Sequence, residues 1–112
     1  MILKLNDISV DCVIGERADE RTRTQTLLID VELVIPDTAA KTDDLADTVD
    51  YAALTAKIRA TLVAAKCRMI ERAAFLVADL CRAEPLVSHV KAAVTKVGAI
   101  PNLKSATVIY EN

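Results

Sequence analysis

From Leu27 to Ile35 apolar side chains occupy every second position, as Leu27, Ile29, Val31, Leu33 and Ile35, and Pro36 follows at once. A period of two marks a strand with one buried face, and proline cannot continue a hydrogen-bonded ladder. The same period runs through Leu3, Leu5, Ile8, Val10, Cys12 and Ile14, with one slip at Asn6-Asp7 that predicts a bulge. It returns over Val87 to Lys96, where Val90, Ala92, Val94 and Lys96 share a face, and over Ala106 to Tyr110. Between the two pairs of strands the period changes. Tyr51, Leu54, Ile58, Leu62 and Ala65 recur at three and four residues, as do Ile70, Ala73, Ala74, Val77, Leu80 and Cys81. These are the stripes of two helices, the first capped by Thr48 or Asp50 and the second stopped at Pro85.

The element order is therefore ββααββ. Gly15 to Arg23 has no apolar face and reads as a loop closing an antiparallel hairpin. Asp37 to Asp50 reads as a polar connection. The expected fold is α+β, one domain over residues 1–112, with a four-stranded antiparallel sheet and both helices on one face. The sheet's other face and its two edges would stay open in a monomer, which favours closure into a ring of subunits.

The core is expected to be thin. Hydrophobic residues make up 53% of the 112, but many are alanine, and the only aromatics are Tyr51, Phe75 and Tyr110. Assembly is the direct way to bury more area. The net charge of -2 comes from interspersed acids and bases. No basic run or aromatic-basic interleaving points to nucleic acid. No apolar run reaches the roughly 20 residues of a membrane span, and MILKLNDISVDC lacks the apolar centre of a secretion signal. Cys12, Cys67 and Cys81 are odd in number and widely spaced, so they read as buried reduced thiols of a cytoplasmic protein.

Four polar residues stand out for chemistry. Glu71 falls in the first turn of the second helix, where the dipole stabilises a carboxylate and backbone N–H groups lack partners. That combination suits a flat heterocycle with adjacent N–H groups and a carbonyl, although simple stabilisation of the helix end explains the position equally. Lys96 shares a face with Val90, Ala92 and Val94. Burial of an ammonium is costly, and an amine so placed can exchange protons. Alternatively the strand ends at Thr95 and Lys96 reaches solvent. Tyr51 opens the first helix as an amphipathic packing residue. Glu20, taken alone, is a solvated charge in a charged loop. His89 has no partner at ligand spacing, and one histidine rules out a His-rich zinc site. Asp43, Asp44, Asp47 and Asp50 lack the glycine and terminal glutamate of a calcium loop and read as caps. With only Gly15 and Gly98 there is no glycine-rich phosphate loop.

In combination these residues resemble the dihydroneopterin aldolase family along essentially the whole chain. IGERADERTRTQTLLIDVEL resembles the family's early segment, with Glu20 five residues after Gly15 and Gln25 five after that. TDDLADTVDY resembles the stretch leading to the family's functional tyrosine, here Tyr51. MIERAA resembles its aliphatic-Glu helix start, here Ile70 and Glu71. VTKVGAIP resembles its strand-end lysine and following loop, here Lys96. The resemblance implies a tunnelling fold, whose subunits form ring barrels, as tetramers or octamers, with active sites between subunits. It also implies retro-aldol cleavage of 7,8-dihydroneopterin in folate biosynthesis, without metal or other cofactor. In that scheme Glu71 and the Ile70 backbone hold the pterin, Lys96 moves protons, Glu20 orients substrate near Lys96, and Tyr51 protonates the intermediate. Val97 stands where many members carry proline. The related dihydroneopterin triphosphate epimerases also tend to lack it, so epimerisation is the second expectation, with Arg17, Arg21 and Arg23 read either as a solvated loop, the simpler reading, or as a phosphate patch. A non-catalytic pterin-binding oligomer is the third.

Overall fold

A computed structural model describes all of Met1–Asn112. Four strands, β1 (Ile2–Cys12), β2 (Gln25–Val34), β3 (His89–Val97) and β4 (Ser105–Glu111), form one antiparallel sheet in the order β1-β2-β3-β4. A short helix, α1 (Thr38–Thr42), precedes the two main ones, α2 (Tyr51–Ala65) and α3 (Ile70–Arg82). The expected α+β architecture is the observed one.

The bulge lies where the alternation slips. Leu5 pairs with Val31 and Ile8 with Ile29, so β1 spends one more residue than β2 over this span. Asp7 takes the left-handed conformation there, at φ 55°, and its N–H donates to Asp30 Oδ1 at 2.7 Å. The extra residue returns Ile8, Val10 and Cys12 to the buried face.

Two polar segments hold more structure than their sequence suggests. The β1–β2 loop contains a 3-10 turn at Glu20–Thr22. The connection after β2 contains α1 and a second 3-10 turn at Leu45–Asp47. Its aspartates act locally: Asp44 accepts from the Ala46 N–H, Asp47 from the Thr42 hydroxyl, and Asp50 caps α2 by accepting from the Ala53 N–H. Single turns have no helical period to read, since one turn repeats nothing. Lys66, left-handed at φ 47°, ends α2.

The core lies between the sheet and the helices. Ile8, Val10, Leu27, Ile29, Val31, Leu33, Val90, Ala92 and Val94 meet Leu54, Ile58 and Leu62 of α2 and Ala73, Ala74, Val77, Ala78 and Cys81 of α3. None of the three aromatics is in it. Phe75 instead meets Tyr110 edge to face on the surface, with ring centroids 5.6 Å apart. The molecule measures 50 × 25 × 19 Å, only two layers thick. Its uncovered sheet face carries a row of alternating charge, in which Lys4 and Lys91 each lie 3.7 Å from Glu32. Cys12, Cys67 and Cys81 are free and buried, and burial raises all three thiols, Cys12 to about 11 and Cys81 to about 12. No helix is long and apolar enough to cross a membrane.

Candidate active site

β3 continues through Lys96 to Val97, so Lys96 keeps the inward phase of Val90, Ala92 and Val94. Its side chain is 12% exposed, which excludes the alternative of a strand ending at Thr95 with the lysine in solvent. In the β2–β3 register Lys96 stands opposite Leu27, two residues after Gln25. That register brings the amine to the β1–β2 loop, where it meets Glu20.

Glu20 is not the solvated charge its surroundings suggest; only 4% of the residue is exposed. The Lys96 ammonium donates to Glu20 Oε2 at 2.6 Å. Gln25 donates from Nε2 to the same oxygen at 3.1 Å and to the Ile14 carbonyl at 2.7 Å. The Arg17 N–H donates to Oε1 at 3.3 Å. The sequence hides this burial because a 3-10 turn, lacking periodicity, folds Glu20 inward among residues written as a charged run. Gln25, which matches the family pattern, holds Glu20 through its side-chain amide.

The Lys96 hydrogen bond, then Gln25 and the Arg17 N–H, hold the Glu20 carboxyl well below its usual 4.5, at about 2, against the opposing effect of burial. Its folded pKa is depressed, so the stability it contributes is present above about pH 4.5 and is lost as pH falls toward 2. Urea unfolding midpoints should fall through this window by more in the wild type than in Glu20→Gln. Parallel pH dependences would remove Glu20 as the source.

The pterin-anchor candidates stand at the start of α3. Ile70 is its first residue and Glu71 its second. Met69, at the cap, makes no side-chain cap bond, and the Ile70 and Glu71 N–H groups have no backbone acceptor. Glu71 is exposed, and its carboxylate has no ion pair or hydrogen bond within the chain. The site thus presents an anion and free donors side by side. It lies at the same end of the molecule as the Glu20–Lys96 pair, because the Gly15 N–H in the β1–β2 loop donates at 3.2 Å to the carbonyl of Cys67, four residues before Glu71.

Tyr51 is elsewhere. It is 58% exposed at the start of α2, while the connection to α3 begins at the other end. A helix of this length separates the two by about 21 Å at the usual rise per residue. One chain therefore gathers Glu20, Lys96, Ile70 and Glu71 at one end and leaves Tyr51 at the other. His89 is exposed on the surface, 3.6 Å from Glu111. No three His, Cys, Asp or Glu side chains are grouped as a metal would require.

A two-layer ββααββ unit with a buried acid–amine pair at the same end as a helix start bearing a free carboxylate offers a small molecule both a proton-transfer group and a polar anchor, as an enzyme's site must. The chain belongs to the dihydroneopterin aldolase family, whose model, described as dihydroneopterin aldolase, matches residues 3–111. The dihydroneopterin aldolase of Escherichia coli K12 is 32% identical over 111 residues, covering 98% of this chain and 91% of the relative. The E. coli crystal structure in complex with neopterin superimposes with a TM-score of 0.93 at 31% identity, covering 100% of this chain and 98% of that one. A Burkholderia dihydroneopterin aldolase bound to guanine shares the fold, with a TM-score of 0.82 at 23% identity over 100% of this chain and 89% of that one.

Proposed function

We propose that this chain is a cytoplasmic, one-domain dihydroneopterin aldolase that splits 7,8-dihydroneopterin into 6-hydroxymethyl-7,8-dihydropterin and glycolaldehyde without metal or cofactor. The observation that carries the reading is the Lys96 amine held 2.6 Å from a buried, ionised Glu20 at the end of the molecule where Glu71 stands unpaired. The relative that binds neopterin, at 31% identity, supports the ligand class.

Glu71 accepts hydrogen bonds from the pterin's exocyclic amine and ring N–H, a charge-assisted pair of contacts, while the Ile70 backbone defines the ring plane. The proton of the 2'-hydroxyl passes through a water to Lys96 in its neutral amine form, which becomes the ammonium that Glu20 holds and that later returns a proton. The C1'–C2' bond breaks, C2' becomes the carbonyl of glycolaldehyde, and the electron pair passes from C1' into the ring imine to give an enamine. A proton returned to C1' completes the hydroxymethyl product. The ring supplies the electron sink, so the protein's task is to move protons and hold geometry. Glu20 fixes the amine in place. Tyr51 assists protonation of the enamine from a neighbouring subunit, since its own chain leaves it at the far end of α2.

A ring of subunits, tetrameric or octameric, is part of this proposal. The two strand edges, the uncovered sheet face and the surface aromatics support it. Epimerisation of a triphosphate gains no support from the arginines. Arg17 and Arg23 lie 3.3 and 3.6 Å from Asp19 carboxylate oxygens, and Arg21 is bound to backbone carbonyls, so these three do not form a free patch.

Incubation with 7,8-dihydroneopterin should release glycolaldehyde and 6-hydroxymethyl-7,8-dihydropterin in equal amounts. A side-chain epimer as sole product would make the protein an epimerase, and binding without turnover would make it a non-catalytic module. Shared sites predict a second result. Tyr51→Phe and Lys96→Ala chains, each nearly inactive alone, should regain about a quarter of wild-type activity when refolded together, because in randomly mixed rings one interface in four unites intact partners. No recovery from verified mixed oligomers would place Tyr51 outside the shared site.

A further inference from the structure

We propose that Arg21 is the positioning residue that sets the spacing between the proton-transfer pair and the pterin anchor. The inference rests on the aldolase reading and adds a residue to it.

Arg21 follows Glu20 directly, yet its guanidinium pairs with no carboxylate. Nη1 donates to the Gly15 carbonyl at 2.9 Å and to the Cys67 carbonyl at 3.2 Å, and Nη2 donates to the Lys66 carbonyl at 2.7 Å. A half-buried cation thus joins two segments from different layers. One is the β1–β2 loop of the sheet, and the other is the α2–α3 connection. Lys66 is the left-handed cap of α2, where carbonyls lack intrahelical donors and a cation complements the dipole. The planar fork of arginine spans three carbonyls in a way a lysine ammonium does not.

Each segment leads to one half of the site. Gly15, at φ +125°, lies directly under the Glu20 carboxylate, since a Cβ placed there would collide with Glu20 Cδ and both carboxylate oxygens. A shift of Gly15 therefore moves the surface on which Glu20 rests, and with it the partner of Lys96. Cys67 is three residues before Ile70, so the other segment leads into the anchor. Arg21 and Cys67 are 46 residues apart in the chain. The tie between the halves is thus tertiary, made by this guanidinium, the single Gly15–Cys67 backbone bond and an exposed Arg68–Glu16 ion pair at 3.7 Å, of which only the guanidinium bridges three carbonyls. Turnover needs both halves in register, and displacements of about 1 Å cost up to about 10²-fold in rate. Pterin binding needs only the anchor.

The test separates rate from affinity. In folded, correctly assembled Arg21→Gln, kcat should fall by about tenfold or more while Kd for neopterin stays within about threefold. The Glu20 carboxyl, followed by 13C NMR, should titrate at higher pH than in the wild type, and Arg21→Lys should restore kcat only in part. A kcat within about twofold of wild type, or equal losses in kcat and affinity, overturns the proposal. Where Arg21→Gln does not fold, Arg21→Lys decides: wild-type kcat in it overturns the proposal. A wild type that does not turn over 7,8-dihydroneopterin overturns the aldolase reading instead. The Glu20 titration then carries the positioning claim, and an unchanged curve in Arg21→Gln refutes it.

Discussion

Lys96→Ala is expected to lower kcat by about 10³-fold, the middle of the range for loss of a positioned acid–base group, while Kd for neopterin changes by less than about threefold. The separation follows from geometry. The amine reaches the site from β3, whereas the proposed anchor is on α3. The substitution also leaves the Glu20 carboxylate buried without its main partner, keeping Gln25, the Arg17 backbone N–H and the Arg17 guanidinium at 3.7 Å. Breaking a buried pair in this way costs on the order of 3 kcal/mol of stability. A loss of activity alone would therefore be ambiguous. The double variant Lys96→Met/Glu20→Gln removes both charges and should recover much of that stability without recovering turnover. Stopped-flow kinetics and ligand fluorescence read the two quantities separately. Wild-type kcat in Lys96→Ala would remove the lysine from the reaction, and a matching loss of pterin affinity would move it into the binding surface.

Glu71→Ala should produce the opposite pattern. A carboxylate that accepts two hydrogen bonds from a pterin contributes about 3–4 kcal/mol, so Kd for neopterin should rise by at least about 10²-fold. Stability should change little. Glu71 is exposed and holds no partner within the chain, and its remaining role is a first-turn charge worth about 0.5 kcal/mol. Affinity unchanged by calorimetry would show that the helix start binds nothing. Reduced affinity together with a comparable loss of thermal stability would make Glu71 a structural cap.

The order of elements was legible in the sequence because hydrophobic period is a local property of the backbone. The slip at Asn6-Asp7, the stop at Pro36 and a helix start at Thr48 or Asp50 follow from residues a few positions apart, whereas the period left Lys96 with two readings until the length of β3 chose the inward one. The resemblance added Tyr51, Ile70 and Glu71 to positions that the pattern alone left as a packing tyrosine and a helix end. Single turns escaped for the same local reason, since α1 and the two 3-10 turns are too short to repeat.

The tertiary structure decided which side chains meet. Glu20 and Lys96 are 76 residues apart, and their contact depends on the β2–β3 register and on the fold of the Gly15–Arg23 loop, neither of which a period encodes. Burial turned Glu20 from a surface charge into a fixed anion, and packing between layers turned Arg21 from one of three neighbouring arginines into a tie across the molecule. The length of α2 separated Tyr51 from the residues it was grouped with. The sequence determines where an acid, an amine and a phenol lie along the chain. Their distances in space come from register, loop closure and helix length, which depend on the whole chain at once.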